Sequence, residues 1–172
     1  MHVLVAYATH LGATREIAER IAEVLAESGV QETLRSVEGD VPVEGYDAFV
    51  IGSAIHAGHW LKPAAQFVSR NASKLEGHPV WLFSSGPIGE AADKPEPDPK
   101  EIARFQSELT IRGHVVFGGA FDRADAMARG GWLERQVSRF IPEGDFRNWS
   151  DIDEWARGIA RELKSLEPAL FH

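Results

Sequence analysis

Along the chain, short apolar runs alternate with longer stretches in which apolar positions recur every three or four residues. Residues 3–7, Val-Leu-Val-Ala-Tyr, form a near-continuous apolar run, the pattern of a strand covered on both faces and therefore of a parallel sheet. Ile17, Ala18, Ile21, Ala22, Val24 and Leu25 then follow at helical spacing, opposite Glu16, Glu19, Arg20, Glu23 and Glu27, until Ser28-Gly29 ends the helix. Further strands are predicted at 32–37 ("ETLRSV"), 47–54 ("DAFVIGSA"), 79–85 ("PVWLFSS") and 114–121 ("HVVFGGAF"), with a helix over 61–73 between the third and the fourth. In the loop after the fourth strand, "DKPEPDP" reads as surface chain rather than as a proline-rich recognition motif. Asp98 as cap, Pro99 at the first helical position and Glu101 three residues on predict a capped start for "KEIARFQSELTIRG". "GWLERQVSRFI" reads as a short amphipathic helix. "SDIDEWARGIARELKSL" reads as a terminal helix capped by Ser150, with Trp155 on its core face beside Ile152, Ile159 and Leu163.

Five strands alternating with helices make a doubly wound α/β pattern. Right-handed crossovers place ligands outside the carboxyl ends of such strands, near the point where strand order reverses. The informative loops are thus those after strands one, three and four, "THLGAT", "SAIHAGHW" and "SGPIGE".

Composition narrows the chemistry. The 172 residues are 44% hydrophobic, enough for one sizeable core and a single domain over 1–172. With no cysteine, thiolate metal sites, disulfides and cysteine nucleophiles are excluded, so redox chemistry needs a borrowed cofactor. A formal charge of -8 disfavours broad contact with nucleic acid or an anionic membrane. No run approaches the ~20 apolar residues of a membrane span, and the chain opens straight into a strand, so a cytoplasmic protein is expected.

In the first loop Thr9, His10, Leu11, Gly12, Ala13 and Thr14 join a strand to a helix, where backbone N–H groups meet the positive end of a helix dipole. Thr9 and Thr14 add hydroxyls, and Gly12 allows close approach or positive φ. This is the geometry of an anion cradle, or simply of a threonine-capped helix. A Walker loop would need Gly-Lys-Ser/Thr and a dinucleotide fingerprint G-x-G-x-x-G, and neither is present. The second loop holds Ala54, Ile55, His56, Ala57, Gly58, His59 and Trp60. Trp60 either lies near a planar ligand or packs on its own following helix. Two histidines without an assigned third ligand do not make a metal site, so no metal is expected; either one is a candidate hydrogen-bond donor or proton shuttle. The third loop, Ser84, Ser85, Gly86, Pro87, Ile88 and Gly89, offers hydroxyls and backbone N–H groups but no aromatic ring.

T-x-x-G-x-T directly after an apolar first strand resembles the phosphate loop of flavodoxin-like proteins. "YDAFVIGSAIHAGHW" and "FSSGPIG" stand where those proteins place their flavin-ring loops. The resemblance spans nearly the whole chain. It implies a five-stranded parallel sheet of order 2-1-3-4-5 with helices on both faces, and FMN held by the three loops. Within that superfamily, "VIGSAIHAGHW", "TREIA" and "YD" before the third strand are most similar to the menaquinone-dependent protoporphyrinogen oxidase branch. The segment after the fifth strand is basic and apolar in that branch. Here Arg129, Arg135 and Arg139 are mixed with Glu134, Glu143 and Asp145, which weakens the expectation of peripheral membrane contact.

The resemblance implies an FMN-dependent oxidoreductase passing electrons from a reduced, protoporphyrinogen-like substrate to a quinone. The absence of a ring-stacking aromatic in the third loop suits an enzyme whose substrate stacks on the flavin, unless a distant side chain such as Trp132 covers it. No side chain stands out as an obligatory catalytic acid or base. The competing expectation is a one-electron carrier that docks on partner redox proteins through its acidic surface.

Overall fold

A computed structural model describes residues 1–89 and 97–170. Five parallel strands form its centre: β1 (His2–Ala8), β2 (Gln31–Ser36), β3 (Ala48–His56), β5 (Val80–Ser85) and β6 (Ile111–Phe117). They lie in the order β2-β1-β3-β5-β6, which is 2-1-3-4-5 when these five are counted along the chain. The expected doubly wound topology is thus the observed one. The apolar runs 3–6, 48–51 and 80–83 are buried, as strands covered on both faces must be.

Two cores cover the sheet. On one face Ile17, Ile21 and Leu25 of α1 (Ala13–Glu27) and Ile152, Ile159 and Leu163 of α6 (Trp149–Leu170) pack on Val3, Val5, Val50 and Phe83. Trp155 joins this core, its ring 5.7 Å from Phe117 and 6.2 Å from Phe83, as its helical register predicts. On the other face α2 (Lys62–Leu75) and α3 (Lys100–Glu108) set Phe67, Val68, Ile102 and Phe105 against Leu4, Phe49, Ile51 and Leu82. Beneath Phe83 the sheet has room for no side chain at Gly52, where a Cβ would fall 2.0 Å from the ring.

Several boundaries depart from the sequence reading. The helix expected over 100–113 stops at Glu108, and Ile111–Phe117 is strand, because the backbone must pair with Val80–Ser85. Asp98 does not cap that helix; its carboxylate lies 3.1 Å from Nδ1 of His114, and no side chain caps the helix start. The terminal helix begins at Trp149, and its capping side chain is Asn148, whose Oδ1 accepts from the Asp151 N–H at 3.2 Å, not Ser150. Within "DKPEPDP", residues 93–96 lie outside the described residues.

The third strand runs on to His56 and folds back through Ala57 and Gly58, both at positive φ, into the short antiparallel strand β4 (His59–Trp60). Two positive φ values in a two-residue hairpin loop match the right-handed twist of its strands. The start of α3 pins this hairpin. The Glu101 carboxylate accepts from the Trp60 N–H at 3.0 Å and meets His59 Nδ1 at 2.8 Å, while the Lys100 N–H donates to the Gly58 carbonyl at 3.3 Å. Burial pushes the Glu101 carboxyl up, but the Trp60 N–H and the His59 ring outweigh it and hold the group below its ordinary range.

Two outcomes follow. Gly52→Ala should destabilise the fold by on the order of 3 kcal/mol, because the added methyl meets a packed ring; chemical denaturation gives the difference from the shift in midpoint. Glu101→Gln should cost about 1–2 kcal/mol near neutral pH. The depressed folded-state pKa makes the Glu101 contribution complete above its unfolded pKa and lost as pH falls through the folded value. The wild-type advantage should therefore shrink in acid, and denaturation of the two proteins across pH 3–7 measures it (a range of roughly the carboxylate titration).

Candidate functional site

The carboxyl ends of β1, β3, β5 and β6 open into one cavity of about 580 Å³, within the range of small-molecule sites. The first loop supplies Thr9, His10, Leu11, Ala13 and Thr14 to its wall. Ala54, Ile55 and His56 come from the end of β3, and Ser85, Gly86 and Ile88 from the chain after β5. The three loops singled out in the sequence thus converge. The Thr9 Oγ accepts from the Gly12 N–H at 2.9 Å, which folds the loop into the start of α1. Gly12 occupies the N-cap position at φ 99°, a left-handed conformation that favours glycine, and no side chain caps α1. The first-turn N–H groups therefore keep their donors for a ligand.

Other predicted positions serve the wall without lining it. Trp60 is buried away from the cavity, 5.5 Å from Phe105, with its indole N–H donating to Ser84 Oγ at 2.8 Å. Of the two readings for Trp60, the packing one describes its place, in the core shared by α2 and α3. Ser84 is fully buried below the cavity floor, and its Oγ also meets His114 Nε2 at 2.8 Å. Burial holds the His114 ring below the usual histidine pKa, against the pull of Asp98. In the neutral ring Nδ1–H donates to Asp98 and Nε2 accepts from the Ser84 hydroxyl, which leaves Ser84 Oγ free to accept from Trp60. This buried chain ties the hairpin, β5 and β6 together. It is a scaffold and not a nucleophile, because Ser84 has no access to ligand.

His59 points outward to Glu101, and Ala57 and Gly58 form the exposed hairpin tip. The Pro87 carbonyl accepts from the Gly119 N–H at 2.8 Å, and Gly89, at positive φ, packs against Pro142. Both fix the third loop from behind. Among the described residues, no group of three or more His, Asp or Glu side chains is arranged to hold a metal ion. None of the described helices is long and apolar enough to cross a membrane.

The sequence reading missed the far wall. Beyond β6 the chain forms β7 (Ala120–Phe121), α4 (Arg123–Arg129), α5 (Trp132–Val137), a 3-10 turn over Ser138–Phe140 and β8 (Gly144–Asp145). From this segment Phe121, Ala126, Leu133, Val137 and Ile141 face the cavity. The aromatic at the cavity is thus Phe121, while Trp132 stands out in solvent at 75% exposure. The amphipathic pattern of "GWLERQVSRFI" was visible in the sequence, but the partner of its apolar face was not. On the other side of Gly12, a smaller cleft of about 380 Å³ is lined by Glu16, Asp122, Asp125, Glu143 and Asp145. Arg147 crosses it, its guanidinium bonded to Glu16 and Asp145 and stacked 4.6 Å from the Trp149 ring. The hydrogen bonds that Arg147 donates to Asp145 raise its pKa over the opposing effect of burial, so its charge is committed to these carboxylates.

Comparison with known proteins agrees with this architecture. The chain is 27% identical over 176 aligned residues to protoporphyrinogen IX dehydrogenase [quinone] of Escherichia coli K12, covering 93% of this chain and 95% of that one. Among solved structures, a flavodoxin from the domain Archaea superposes with a TM-score of 0.55 at 19% identity, over 91% of this chain and 99% of that one. A point mutant of flavodoxin from Pseudomonas aeruginosa gives 0.63 at 14% identity, over 95% and 99%. The sequence profile of the flavodoxin domain matches residues 4–145. The parallel sheet, the loop-lined cavity at its carboxyl edge and this match together place the chain in the flavodoxin domain family.

Proposed function

We propose that this chain is an FMN-dependent oxidoreductase that takes electrons from a reduced, protoporphyrinogen-like substrate and gives them to a quinone. The observation that carries the reading is the convergence of the three loops on one cavity with an apolar far wall. The residues present fit the cofactor. The uncapped start of α1, with Gly12 at positive φ and Thr9 folded beneath it, suits a phosphate monoester without any lysine. Thr14, itself 2% exposed, adds a hydroxyl at the same wall. Ala54, Ile55 and His56 on one side, and Ser85, Gly86 and Ile88 on the other, suit the two flanks of a planar ring. Gly86 is needed there, since a Cβ would fall 2.8 Å from the Ile55 Cβ. Bound in this cavity, FMN would supply the electron transfer that the side chains, lacking any thiol, do not.

The chain's own residues bind, orient and exclude water. Leu133, Val137 and Ile141 form an apolar wall suited to a flat, greasy second substrate. His10 and His56 border the same space and are the titratable side chains best placed to move a proton. The acidic cleft beyond Gly12 disfavours any extension of the ligand with a further phosphate, consistent with a mononucleotide. The Escherichia coli relative, a quinone-linked protoporphyrinogen IX dehydrogenase, supports the substrate classes. The carrier reading has the acidic surface in its favour but gives no role to the apolar wall.

Purified protein should bind FMN with loss of flavin fluorescence. Gly12→Val should weaken that binding about tenfold or more, because a β-branched residue at φ 99° costs about 1–2 kcal/mol. Anaerobic turnover separates the two activities: the proposed enzyme should oxidise protoporphyrinogen IX with menaquinone or ubiquinone as acceptor and no second protein. Flavin binding without such turnover, together with salt-dependent electron transfer to a partner redox protein, would establish the carrier instead.

A further inference from the structure

The first loop stands between two cavities of different character. Leu11 and Ala13 line both the larger one, of about 580 Å³, and the acidic cleft of about 380 Å³. A cradle suited to a phosphate dianion is thus built against a wall of Glu16, Asp122, Asp125, Glu143 and Asp145. The first bond within α1 runs from the Glu16 N–H to the Gly12 carbonyl at 3.1 Å, which leaves the N–H groups of Ala13, Thr14 and Arg15 for an anion. Glu16 is the next residue of the same turn. Screening limits the reach of exposed charge only to about 8 Å at physiological salt, so a bare carboxylate there would repel the phosphate.

Arg147 answers this acidity at the loop itself. Its side chain is 8% exposed, donates to both Asp145 oxygens at 2.8 and 2.7 Å and to Glu16, and reaches the Ala13 carbonyl at 3.3 Å. Among the described residues it is the one ion-pair partner of Glu16 and of Asp145. The other acids of the cleft are answered from α4: Arg123 stands 3.7 Å from Glu143, Arg129 3.3 Å from Asp125, and Asp122 caps the helix. Arg15 comes within 3.9 Å of where a Gly12 Cβ would stand, but it pairs with Glu19 at 3.5 Å and lines neither cavity. We propose that Arg147 is a positioning residue for the cofactor phosphate: by neutralising Glu16 and Asp145 behind the first loop, it sets the preference for FMN over the phosphate-free flavin, riboflavin. It does so from outside the cavity, with all but one of its N–H donors spent on the protein. The inference rests on the FMN reading above, and it explains how a cradle without lysine holds a dianion on a chain of formal charge -8.

The test is the dissociation constant of the full chain for FMN and for riboflavin, read from quenching of flavin fluorescence at low and at high salt. Arg147→Gln should weaken FMN about tenfold at low salt and riboflavin by less than about twofold, and the deficit should shrink as salt rises. A role in packing alone would weaken both flavins equally and would not respond to salt. Arg147→Gln/Glu16→Gln/Asp145→Asn removes the acids together with their partner and should restore the preference for FMN. Glu16 is half exposed, so Glu16→Gln alone keeps the fold and should tighten FMN about threefold with riboflavin unchanged. A ratio of the two constants indifferent to Arg147→Gln and to Glu16→Gln, or an equal loss for both flavins, overturns the proposal and leaves the FMN reading standing. Loss of the preference in Arg15→Gln but not in Arg147→Gln also overturns it and assigns the phosphate to Arg15. Wild-type protein that binds neither flavin ends the FMN reading and this inference with it.

Discussion

The register of the parallel strands is the constraint on which the rest of this structure depends. Ala8 of β1 lies opposite Ser53 of β3, Ser53 opposite Ser84 of β5, and Ser85 opposite Phe117 of β6. The chain therefore leaves four neighbouring strands at nearly the same level, and their loops have to meet. A slip of one residue on any strand would exchange its side chains between the two cores and separate the loops. Burial on both faces prevents the slip: Phe83 over Gly52 on one side, and Phe67 and Phe105 against Leu82 and Ile51 on the other, admit only one alignment.

Everything at the carboxyl edge elaborates that level platform. The first loop needs only a glycine at positive φ and an uncapped helix to present N–H donors. The second loop is longer and is braced from outside by Glu101 and from below by the Trp60–Ser84–His114–Asp98 chain, so polar bonds replace the packing that a projecting hairpin lacks. The third loop is held through Gly119, where a Cβ would come within 3.2 Å of the Gly86 carbonyl oxygen. Rigid support for a site on loops is what permits precise placement of a bound ring.

The segment beyond β6 changes the character of the site. It closes the cavity with Phe121, Leu133, Val137 and Ile141, and it turns Trp132 and Phe140 outward. One stretch of about twenty residues thus presents an apolar wall inside and an apolar, basic face outside.

How much of this was legible in the sequence depended on how local the determining physics was. Strands 3–7, 47–54 and 79–85 were readable because burial on both faces leaves a continuous apolar run. The strand order and the phosphate-type loop came from a resemblance carried by Thr9, Gly12 and Thr14. Capping misled at Asp98 and Ser150, where a hydrogen bond from His114 and an earlier cap at Asn148 replaced the local bonds the sequence favours. "TIRG" looked helical until pairing with β5 made it strand. Trp60 could not be placed, because its position rests on Ser84, Glu101 and Phe105, between 24 and 45 residues away. The sequence by itself determined the main strands and helices and the class of the sheet, since these follow from periodicity along a few adjacent residues. Only the tertiary structure decided which side chains line the cavity and which face of 127–140 is left bare, because burial is a property of what packs across the chain and not of the residue itself.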